Sequence, residues 1–491
     1  MYNLLEIYNK LLGFKVFNIS LLFMERTLVM SYEIDFKKPC HVYFMGIGGV
    51  SMSGLAQILV SKGFKVSGSD NKESDTTRHL ESMGIKVFYG QKAENIAAAG
   101  DINVVVYTAA IHPDNPEFVA AKNANLPMIT RAVLLGQVML EYKLPIAISG
   151  THGKTTTTSM ISEILLCADA DPTISVGGNL KAINGNTRVG GDKFFVAEAC
   201  EYTNSFLSFF PKMSIILDID ADHLDFFKDL DDIRRSFRKF AELLPDDGHL
   251  IINTDIPNVE EICGNLKCKV ITYGSSDSSD YYASDITYDS FANASFTAHR
   301  KGLEDIKVTL KVPGEHNVFN ALSAIAAADL CGVSSDDIVK GLAAFTGTDR
   351  RFQYKGTTNG VNVIDDYAHH PTEIAATLNT AKSYPHNTIW CVFQPHTYTR
   401  TKALMADFAK ALSLSDEVVL CDIYAARETD NLGISSRTLQ EEIIKNGHSC
   451  HYFPTFDEVE KFLLKNCTKD DLLITMGAGD VYKIGDHMLG K

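Results

Sequence analysis

The feature that most constrains the fold of this chain is a buried strand that runs directly into a glycine-rich turn and then a helix. The clearest example joins the apolar run Leu144–Ile148 to the turn Gly150–Thr155 and a threonine-rich helix. A second example places the turn Gly46–Gly49 after the run His41–Met45, and a third segment of this kind begins near Val361. Because short apolar strands that alternate with helices are typical of parallel sheets, we predict an α/β chain of three domains.

Length and composition agree with three ordinary globular domains. The chain has 491 residues, 45% of them hydrophobic, and domains usually hold roughly 100–200 residues. We expect the domains to cover residues 38–143, 144–348 and 349–491. The net charge of −15 argues against a protein that binds nucleic acid, which needs a basic surface. It does not exclude small anionic substrates, because helix ends, a few basic side chains and a metal ion can reverse the sign inside a cleft.

Residues 1–37 form an N-terminal extension outside these domains. The stretch Phe14–Met30 is apolar, but three charged residues interrupt it, and no run approaches the roughly 20 residues that a membrane span needs. We therefore expect no stable membrane insertion and a poorly ordered extension, with Met30 as an alternative first residue. A partner-binding helix and a targeting segment are the alternatives. The ten cysteines are scattered and form no CxxC pair, which favours reduced thiols in the cytoplasm.

The turn after Leu144–Ile148 has the composition of a phosphate-binding loop. A glycine turn at a helix N-terminus presents backbone N–H groups and the positive end of the helix dipole to phosphate oxygens. Lys154 would then reach the β- and γ-phosphates of ATP, and the Thr155 hydroxyl would contact Mg²⁺. The complete Walker pattern needs glycine at Ile148, so the loop is a shortened variant, and a plain strand–helix turn is the alternative. The residues predicted to bind ATP here are Gly150, Thr151, His152, Gly153, Lys154, Thr155 and Thr156.

Acidic groups follow two later strands of the same predicted sheet. Glu198 ends one apolar run, and the sequence Asp220-Ala-Asp222-His223 follows the next. Ligand-binding groups gather at the carboxyl ends of parallel strands, where the phosphate loop also lies. We therefore predict that Thr155, Glu198 and His223 hold one or two Mg²⁺ ions, for which Mn²⁺ can substitute, beside the γ-phosphate. Taken alone, either acidic group fits a helix cap or an ordinary surface position equally well.

The first glycine turn has most of a dinucleotide-binding fingerprint. Asp70 ends the next strand at the expected spacing of about 20 residues. The third glycine of the fingerprint would fall at Ser51, which argues against an NAD-dependent dehydrogenase. Close approach of the backbone to a pyrophosphate suits a nucleotide-sugar diphosphate equally well. The residues predicted to bind such a ligand are Gly46, Ile47, Gly48, Gly49, Asp70 and Thr108.

Seven motifs occur in a fixed order along residues 46–400. They are Gly46–Ala56, Gly150–Thr155, Val196–Glu201, Pro313–Asn320, Arg350–Phe352, Asp365–Pro371 and Gln394–Arg400. Together they resemble the Mur ligases, the ATP-dependent amino-acid-adding enzymes of peptidoglycan synthesis, and the resemblance extends from about residue 38 to residue 491. It implies a Rossmann-like N-terminal domain for the UDP-sugar, a central P-loop ATPase-like domain, and a Rossmann-like C-terminal domain that closes over both.

The resemblance also implies an activity. The chain would join L-alanine to the carboxyl group of UDP-N-acetylmuramate through an acyl phosphate, and release ADP and phosphate. A ligase that attaches whole peptides to the same sugar, or a folate polyglutamate-type enzyme, is the alternative within the family. The oligomeric state is left open.

Further site residues follow from the resemblance alone. The adenine ring and the interdomain cleft would involve His316, Asn317 and Asn320, and the ribose would contact Asp366. Phosphates would face Arg351 and Arg400, and the alanine site would contain Tyr367 and His369. The catalytic residues would be Lys154, His369, His396 and Arg400, with either histidine as the base that accepts the amine proton.

Two positions depart from the family pattern. Thr397 stands where some relatives carry arginine, so a phosphate contact is expected to move to Arg400 or Lys402. Asp218 stands where asparagine is frequent. Some branches of the family use a carbamylated lysine at a second metal, and here His223 is expected to act instead.

Overall fold

The computed structural model describes residues 32–108, 110–426 and 428–491. Most of the predicted N-terminal extension therefore lies outside the described residues. Within residues 32–37, Ile34 is buried and its N–H donates to Gln137 Oε1 at 2.8 Å. None of the helices in the described ranges has both the length and the apolar composition needed to cross a bilayer. All ten cysteines are free thiols.

The chain divides into two compact units, residues 1–141 and residues 142–491.

The first unit contains a five-stranded parallel sheet in the order β3-β2-β1-β4-β5. Its strands are β1 (His41–Met45), β2 (Lys65–Asp70), β3 (Lys86–Tyr89), β4 (Val104–Tyr107) and β5 (Met128–Thr130). Its helices are Val50–Ser61, Asp75–Ser82, Glu94–Ala99, Pro116–Asn123 and Arg131–Met139. All of β1 is buried, as expected for a central strand of a parallel sheet. The strand order reverses between β1 and β4, so the turn Gly46–Gly49 lies at the switch point where such sheets bind ligands.

The second unit contains two sheets, the larger with ten strands in the order β15-β14-β13-β12-β11-β10-β6-β9-β7-β8. Its strands are β6 (Leu144–Ser149), β7 (Thr173–Leu180), β8 (Gly185–Arg188), β9 (Phe194–Glu198), β10 (Met213–Ile216), β11 (His249–Asn253), β12 (Lys269–Tyr273), β13 (Tyr281–Tyr288), β14 (Asn293–Arg300) and β15 (Ile306–Pro313). Its α-helices are Lys154–Cys167, Leu230–Ala241, Glu260–Cys263, His316–Leu330 and Ser335–Ala344, with 3₁₀ turns at Lys181–Ile183 and Tyr202–Ser208. The central strands are parallel, whereas β8, β14 and β15 pair antiparallel with their neighbours.

The smaller sheet of this unit has the order β16-β17-β21-β18-β19-β20. Its strands are β16 (Gln353–Thr358), β17 (Val361–Asp366), β18 (Ile389–Phe393), β19 (Glu417–Leu420), β20 (Cys450–Tyr452) and β21 (Leu472–Met476). Its helices are Pro371–Ala381, Tyr398–Ala403, Met405–Leu412, Ser436–Lys445, Phe456–Asn466 and Tyr482–Met488. Only β16 is antiparallel. The prediction of an α/β fold with mainly parallel sheets is confirmed, and the exact domain boundaries stay a prediction.

Strand order in the large sheet determines where the phosphate loop lies. The loop follows β6, which pairs with β9 on one side and β10 on the other. The register places Ile148 opposite Glu198 and Ser149 opposite Ile216. The segments that follow these three strands therefore meet at one edge of the sheet, and they carry the predicted phosphate and metal ligands.

Candidate functional site

Two glycines give the phosphate loop its shape. Gly150 and Gly153 have φ angles of +145° and +80°, which side chains other than hydrogen rarely allow. A Cβ atom on Gly153 would lie 2.7 Å from Asn320 Oδ1, and one on Gly150 would lie 2.9 Å from Asp218 Oδ1. The glycines therefore supply an unusual backbone conformation and also let the loop pack closely against two neighbouring segments.

We expect Gly153→Ala to destabilise the protein more than Gly332→Ala. The two glycines have nearly the same φ, +80° and +78°, so the two substitutions carry a similar strain of roughly 1–2 kcal/mol. Only the alanine at position 153 also meets a close oxygen, since nothing lies within 4 Å of a Cβ on Gly332. Urea unfolding should show a further loss of about 1–3 kcal/mol for Gly153→Ala. Equal unfolding free energies would mean that Asn320 moves aside without cost.

The ammonium group of Lys154 lies over the phosphate loop. It donates to the carbonyl oxygens of Gly150 and Thr151, and it lies 3.1 Å from the Glu201 carboxylate. Burial acts to lower the pKa of Lys154, but the charge and hydrogen bond of Glu201, together with the nearby Cys200 and Asp218, outweigh burial and the pKa lies above its usual value. Lys154 is therefore fully protonated and positioned to transfer hydrogen bonds to a phosphate oxygen.

Glu201 has no role in the sequence-based prediction, although the structure places it at the centre of the site. It is 2% exposed. One of its oxygens pairs with Lys154, and the other lies 3.7 Å from His223 Nε2. The motif Val196–Glu201 contains this second carboxylate three residues after Glu198. Its place in that motif is the sequence feature that could have identified Glu201 as a site residue.

The three predicted metal ligands reach the site from different segments. Thr155 is in the first turn of the helix Lys154–Cys167, and Glu198 is the last residue of β9. A Cβ on Gly177 would lie 2.8 Å from the Glu198 carboxylate, and one on Gly178 would lie 3.1 Å from Thr155 Cγ2, so one glycine segment contacts both side chains. His223 lies instead beside Glu201. The hydroxyl and the carboxylate supply the oxygen atoms that Mg²⁺ and Mn²⁺ prefer, and the imidazole adds one nitrogen.

A cavity of about 370 Å³ opens beside the phosphate loop, a size typical of sites for small ligands. Eight of the predicted ATP-binding residues line it, namely His152, Gly153, Thr156, His316, Asn317, Asn320, Arg351 and Asp366. Asn320 is held by neighbours, since its amide donates to Asn317 Oδ1 at 3.0 Å and its oxygen accepts from Thr157 at 3.3 Å. The structure thus brings together residues from both parts of the second unit around one cavity.

Asp366 ends β17 and is almost fully buried against this cavity. Its carboxylate accepts hydrogen bonds from the N–H groups of Phe352 and Ala368, at 2.9 and 2.7 Å. Burial raises the pKa of Asp366 to about 6, although the charge of Arg351 and these hydrogen bonds act in the opposite direction. The carboxylate is thus held in place by the backbone and can accept hydrogen bonds from a ligand.

Arg400 reaches from the smaller sheet to the phosphate-loop edge of the larger one. Its Nε and Nη2 atoms lie 2.9 and 3.3 Å from the two oxygens of Asp222, and its Nη1 lies 2.9 Å from His396 Nδ1. Burial acts to raise the pKa of Asp222, but Arg400 and His223 outweigh burial and the pKa lies below its usual value. A cavity of about 310 Å³ is lined by Asp222, His223, His396 and Arg400.

The predicted alanine-site residues lie next to this group. The rings of His369 and His396 are 5.8 Å apart, and those of Tyr367 and His369 are 5.5 Å apart. The guanidinium groups of Arg350 and Arg351 lie over Tyr367, 4.9 and 5.3 Å from its ring centre. His369, His396 and Arg400 are therefore close together, and Tyr367 packs between them and the two arginines.

Glu373 is a second site residue without a sequence-based assignment. Its Oε1 lies 3.1 Å from His152 Nδ1 in the phosphate loop, and its Oε2 accepts from the N–H groups of His369 and His370. Burial acts to raise the pKa of Glu373, but His369 and His152 outweigh burial and the pKa lies well below its usual value. Glu373 is the third residue of the helix Pro371–Ala381, a position typical of a capping residue. This position is the sequence feature that could have drawn attention to Glu373.

We expect His369 to make the protein less stable in acid. Burial lowers the pKa of His369 to about 4, opposed by Glu373, whereas an unfolded histidine titrates near about 6.5. Above that value neither state binds the proton. As the pH falls below it, only the unfolded chain does, so the folded state loses about 2 kcal/mol at about pH 5. Chemical unfolding at about pH 7 and pH 5 should show a smaller loss for His369→Gln than for the natural protein, and equal losses would contradict this assignment.

Of the two positions that depart from the family pattern, Asp218 has a clear local role. Asp218 Oδ1 accepts the His152 N–H at 2.8 Å, so this carboxylate holds the phosphate loop. Thr397 has a φ of +67° and precedes the short helix Tyr398–Ala403. Lys402 donates to the Leu432 carbonyl oxygen at 3.0 Å, whereas Arg400 lines the cavity, which favours Arg400 for the displaced phosphate contact.

In the first unit, Asp70 braces the glycine turn. The N–H groups of Gly46 and Ile47 both donate to the Ser69 carbonyl oxygen at 2.9 Å, and the Gly48 N–H donates to Asp70 Oδ2 at 2.9 Å. Thr108 follows β4, the neighbour of β1, and its hydroxyl accepts from the Ala110 N–H at 3.2 Å. The predicted UDP-sugar residues therefore gather at the switch point of this sheet, with Asp70 engaged by the turn itself.

The fold and the site define a phosphate-loop α/β protein in which a C-terminal sheet supplies side chains to the loop. Three domain families match the chain in order: "Mur ligase family, catalytic domain" at residues 41–143, "Mur ligase middle domain" at residues 148–328, and "Mur ligase, glutamate ligase domain" at residues 350–479. The chain belongs to the Mur ligase family.

Individual relatives support this assignment over the full length of the match. The chain is 61% identical over 459 residues to the UDP-N-acetylmuramate–L-alanine ligase of Lachnospira eligens, covering 93% of this chain and 100% of the relative. It is 59% identical over 460 residues to the protein of the same name from Agathobacter rectalis, covering 94% and 100%.

Solved structures show the same likeness. The UDP-N-acetylmuramate-alanine ligase of Thermotoga maritima superposes with a TM-score of 0.76 at 29% identity, covering 92% of this chain and 98% of that one. A murein peptide ligase from Psychrobacter arcticus superposes with a TM-score of 0.71 at 25% identity over the same shares of the two chains.

Proposed function

We propose that this chain joins L-alanine to the carboxyl group of UDP-N-acetylmuramate, with ATP converted to ADP and phosphate, as a step of peptidoglycan precursor synthesis. Relatives named for this reaction share about three fifths of its residues over their whole length. The observation that carries the proposal is the approach of Arg400 and His396 to the edge of the sheet that holds the phosphate loop. This arrangement supports a shared cleft for the nucleotide and a second reacting group.

ATP is needed because a carboxylate is a poor acyl donor. In the proposed first step, a carboxylate oxygen of the sugar attacks the γ-phosphorus, the bond to the bridging oxygen breaks, and ADP leaves with that electron pair. Such a transfer depends mainly on positioning and on neutralising charge on the phosphoryl oxygens. Lys154 and the N–H groups of the loop perform this neutralisation from one side, and Arg400 does so from the other. The cavity beside the loop receives the adenosine, with Asp366 accepting from the ribose.

We assign Thr155, Glu198 and His223 to Mg²⁺, with Mn²⁺ as a substitute. The bound ion supplies positive charge beside the phosphates. Glu201 lies 3.7 Å from His223 Nε2 and 3.1 Å from Lys154, so it positions the His223 imidazole relative to the phosphate-loop lysine.

In the proposed second step, the amine of L-alanine attacks the acyl carbon, and phosphate leaves from a tetrahedral intermediate. His369 is the better-placed base of the two histidines. Its Nδ1 faces the Tyr367 carbonyl oxygen at 3.0 Å and the Glu373 carboxylate at 3.3 Å, so the proton lies on Nδ1 and Nε2 can accept one. His396 Nδ1 instead faces the donor Arg400, which places the proton on Nε2 and makes His396 a hydrogen-bond donor.

Phosphate release with ATP, Mg²⁺ and UDP-N-acetylmuramate, measured over a panel of amino acids and short peptides, tests the proposal. We expect release that depends on L-alanine. Release with a peptide but not with L-alanine would instead establish the peptide-attaching activity, for which the murein peptide ligase of similar fold is the precedent. We propose a cytoplasmic location, because the scattered free thiols suit a reducing compartment.

A further inference from the structure

A second group of possible metal ligands has no member in common with the set Thr155, Glu198 and His223. His152, Asp220 and His370 each offer one ligand atom, and these three atoms lie within 4.8 Å of one another. His152 Nε2 is 3.5 Å and His370 Nδ1 is 3.7 Å from Asp220 Oδ2. Four-coordinate zinc holds nitrogen and oxygen ligands at about 2.1 Å, which puts neighbouring ligand atoms about 3.4 Å apart. Small side-chain rotations are therefore enough to complete three corners of a tetrahedron.

The other ring nitrogen of each histidine is already engaged as in a metal site. His152 Nδ1 faces the Glu373 carboxylate at 3.1 Å, and His370 Nε2 faces the Ala221 carbonyl oxygen at 3.2 Å. Metal-binding histidines usually donate their second nitrogen to a carboxylate or a carbonyl oxygen, which turns the lone pair of the first nitrogen toward the ion. Each ring therefore turns its remaining nitrogen toward Asp220 Oδ2, and His370 Nδ1 also accepts the Thr372 N–H at 3.4 Å as the helix cap.

Two further observations single out this group. His152 Nε2 is a buried polar atom with no hydrogen-bond partner within the described residues, and such atoms are uncommon in folded proteins. Asp220 Oδ1 accepts the Ala221 N–H at 2.7 Å, which orients Oδ2 toward the two histidines, where it also accepts from the Thr372 hydroxyl. The three ligand atoms are thus already held close together, and one of them, His152 Nε2, has no hydrogen-bond partner within the described residues.

We propose that His152, Asp220 and His370 bind a transition-metal ion of the zinc class at the junction between the phosphate loop and the helix Pro371–Ala381. Two imidazoles and one carboxylate, with a fourth position for water, suit Zn²⁺ and its neighbours in the first transition row. Mg²⁺ prefers oxygen ligands, and a set with two nitrogens among its three donors favours the zinc class over it. The site joins a loop residue and a helix residue 218 positions apart in the sequence, so the ion fastens the two segments to each other.

Zinc binding to the purified full-length protein, measured by competition with a chromophoric chelator in excess Mg²⁺, tests the site without reference to turnover. We expect His370→Asn and Asp220→Asn each to remove one zinc equivalent, or to weaken it more than about 100-fold. Asparagine suits the N-cap of the helix, the position that His370 occupies. Both variants keep all ten cysteines, so any zinc bound by thiols is the same in every protein compared. His223→Gln, which alters only the proposed Mg²⁺ set, is the matched control and should keep the zinc.

Thermal unfolding without zinc verifies that each variant is folded. If one of the two variants does not fold, the other alone is enough to test the site. Equal zinc binding by the natural protein and the folded variants would overturn the proposal and leave His152 as the centre of an ionic bridge between Asp220 and Glu373. Loss of the zinc in His223→Gln, or its displacement by Mg²⁺, would also overturn it, because the ion would then occupy the other site. None of these outcomes depends on which amino acid the protein attaches.

Discussion

Replacing Lys154 with alanine is expected to lower ATP turnover by at least about 100- to 1,000-fold, the usual effect of removing one preorganised charge-stabilising donor. The ammonium group is the only lysine nitrogen in the described residues that contacts the loop carbonyls of Gly150 and Thr151, so no neighbour substitutes for it. Production of ADP in the complete reaction mixture measures the effect. Binding of UDP-N-acetylmuramate should change little, because its proposed residues lie in the first unit.

Lys340→Ala is the matched control for this experiment. The Lys340 side chain is 70% exposed, and its loss should leave turnover unchanged. Because the Lys154 variant leaves the buried Glu201 without its cationic partner, thermal unfolding should be recorded alongside. Near-normal ADP production by a folded Lys154→Ala protein would refute the assignment of the phosphate loop.

We expect Arg400→Ala to lower turnover by about 100-fold while it changes the apparent affinity for ATP only a few-fold. The guanidinium pairs with Asp222 and donates to His396, and it lines the smaller cavity beside His223. Because Arg400 lies across from the loop, we expect it to stabilise the charge that develops during phosphoryl transfer more than it stabilises the bound ground-state nucleotide. Initial rates over a range of ATP concentrations separate the two effects.

The exposed residue Arg437, which packs over Tyr452, provides the control Arg437→Ala, with natural turnover expected. A rate equal to that of the natural protein would remove Arg400 from the reaction. If the affinity for ATP fell as much as the rate, Arg400 would be a nucleotide-binding residue instead.

Much of the fold could be predicted because it depends on local patterns. The continuous apolar runs of β1, β6 and β18 indicate strands that are buried on both faces, and the glycines after β1 and β6 mark turns that only a residue without a side chain allows. The antiparallel pairing of the strands β14 and β15 was harder to predict. They alternate in burial, and the sequence does not say that they extend the edge of a parallel sheet.

The site could be predicted where a residue lies within a recognisable motif, and less well where it acts through a distant partner. Asp222 and Arg400 are 178 positions apart, and His152 and Glu373 are 221 apart. No spacing rule covers such pairs, because they form only when two sheets present their strand ends to each other. Glu201 illustrates the same limit, since its two contacts come from a helix start and a separate loop.

Glu373 has a consequence for how the site assembles. One of its oxygens caps the helix Pro371–Ala381, and the other holds His152. Separation of that helix from the loop would remove the His152 partner of Oε1, whereas the cap on Oε2 would stay intact because both of its donors belong to the same segment. The cost of separation is therefore the loss of the buried pair between Glu373 and His152. Partly docked arrangements of these two segments are therefore disfavoured, and the cleft should form in a single cooperative event.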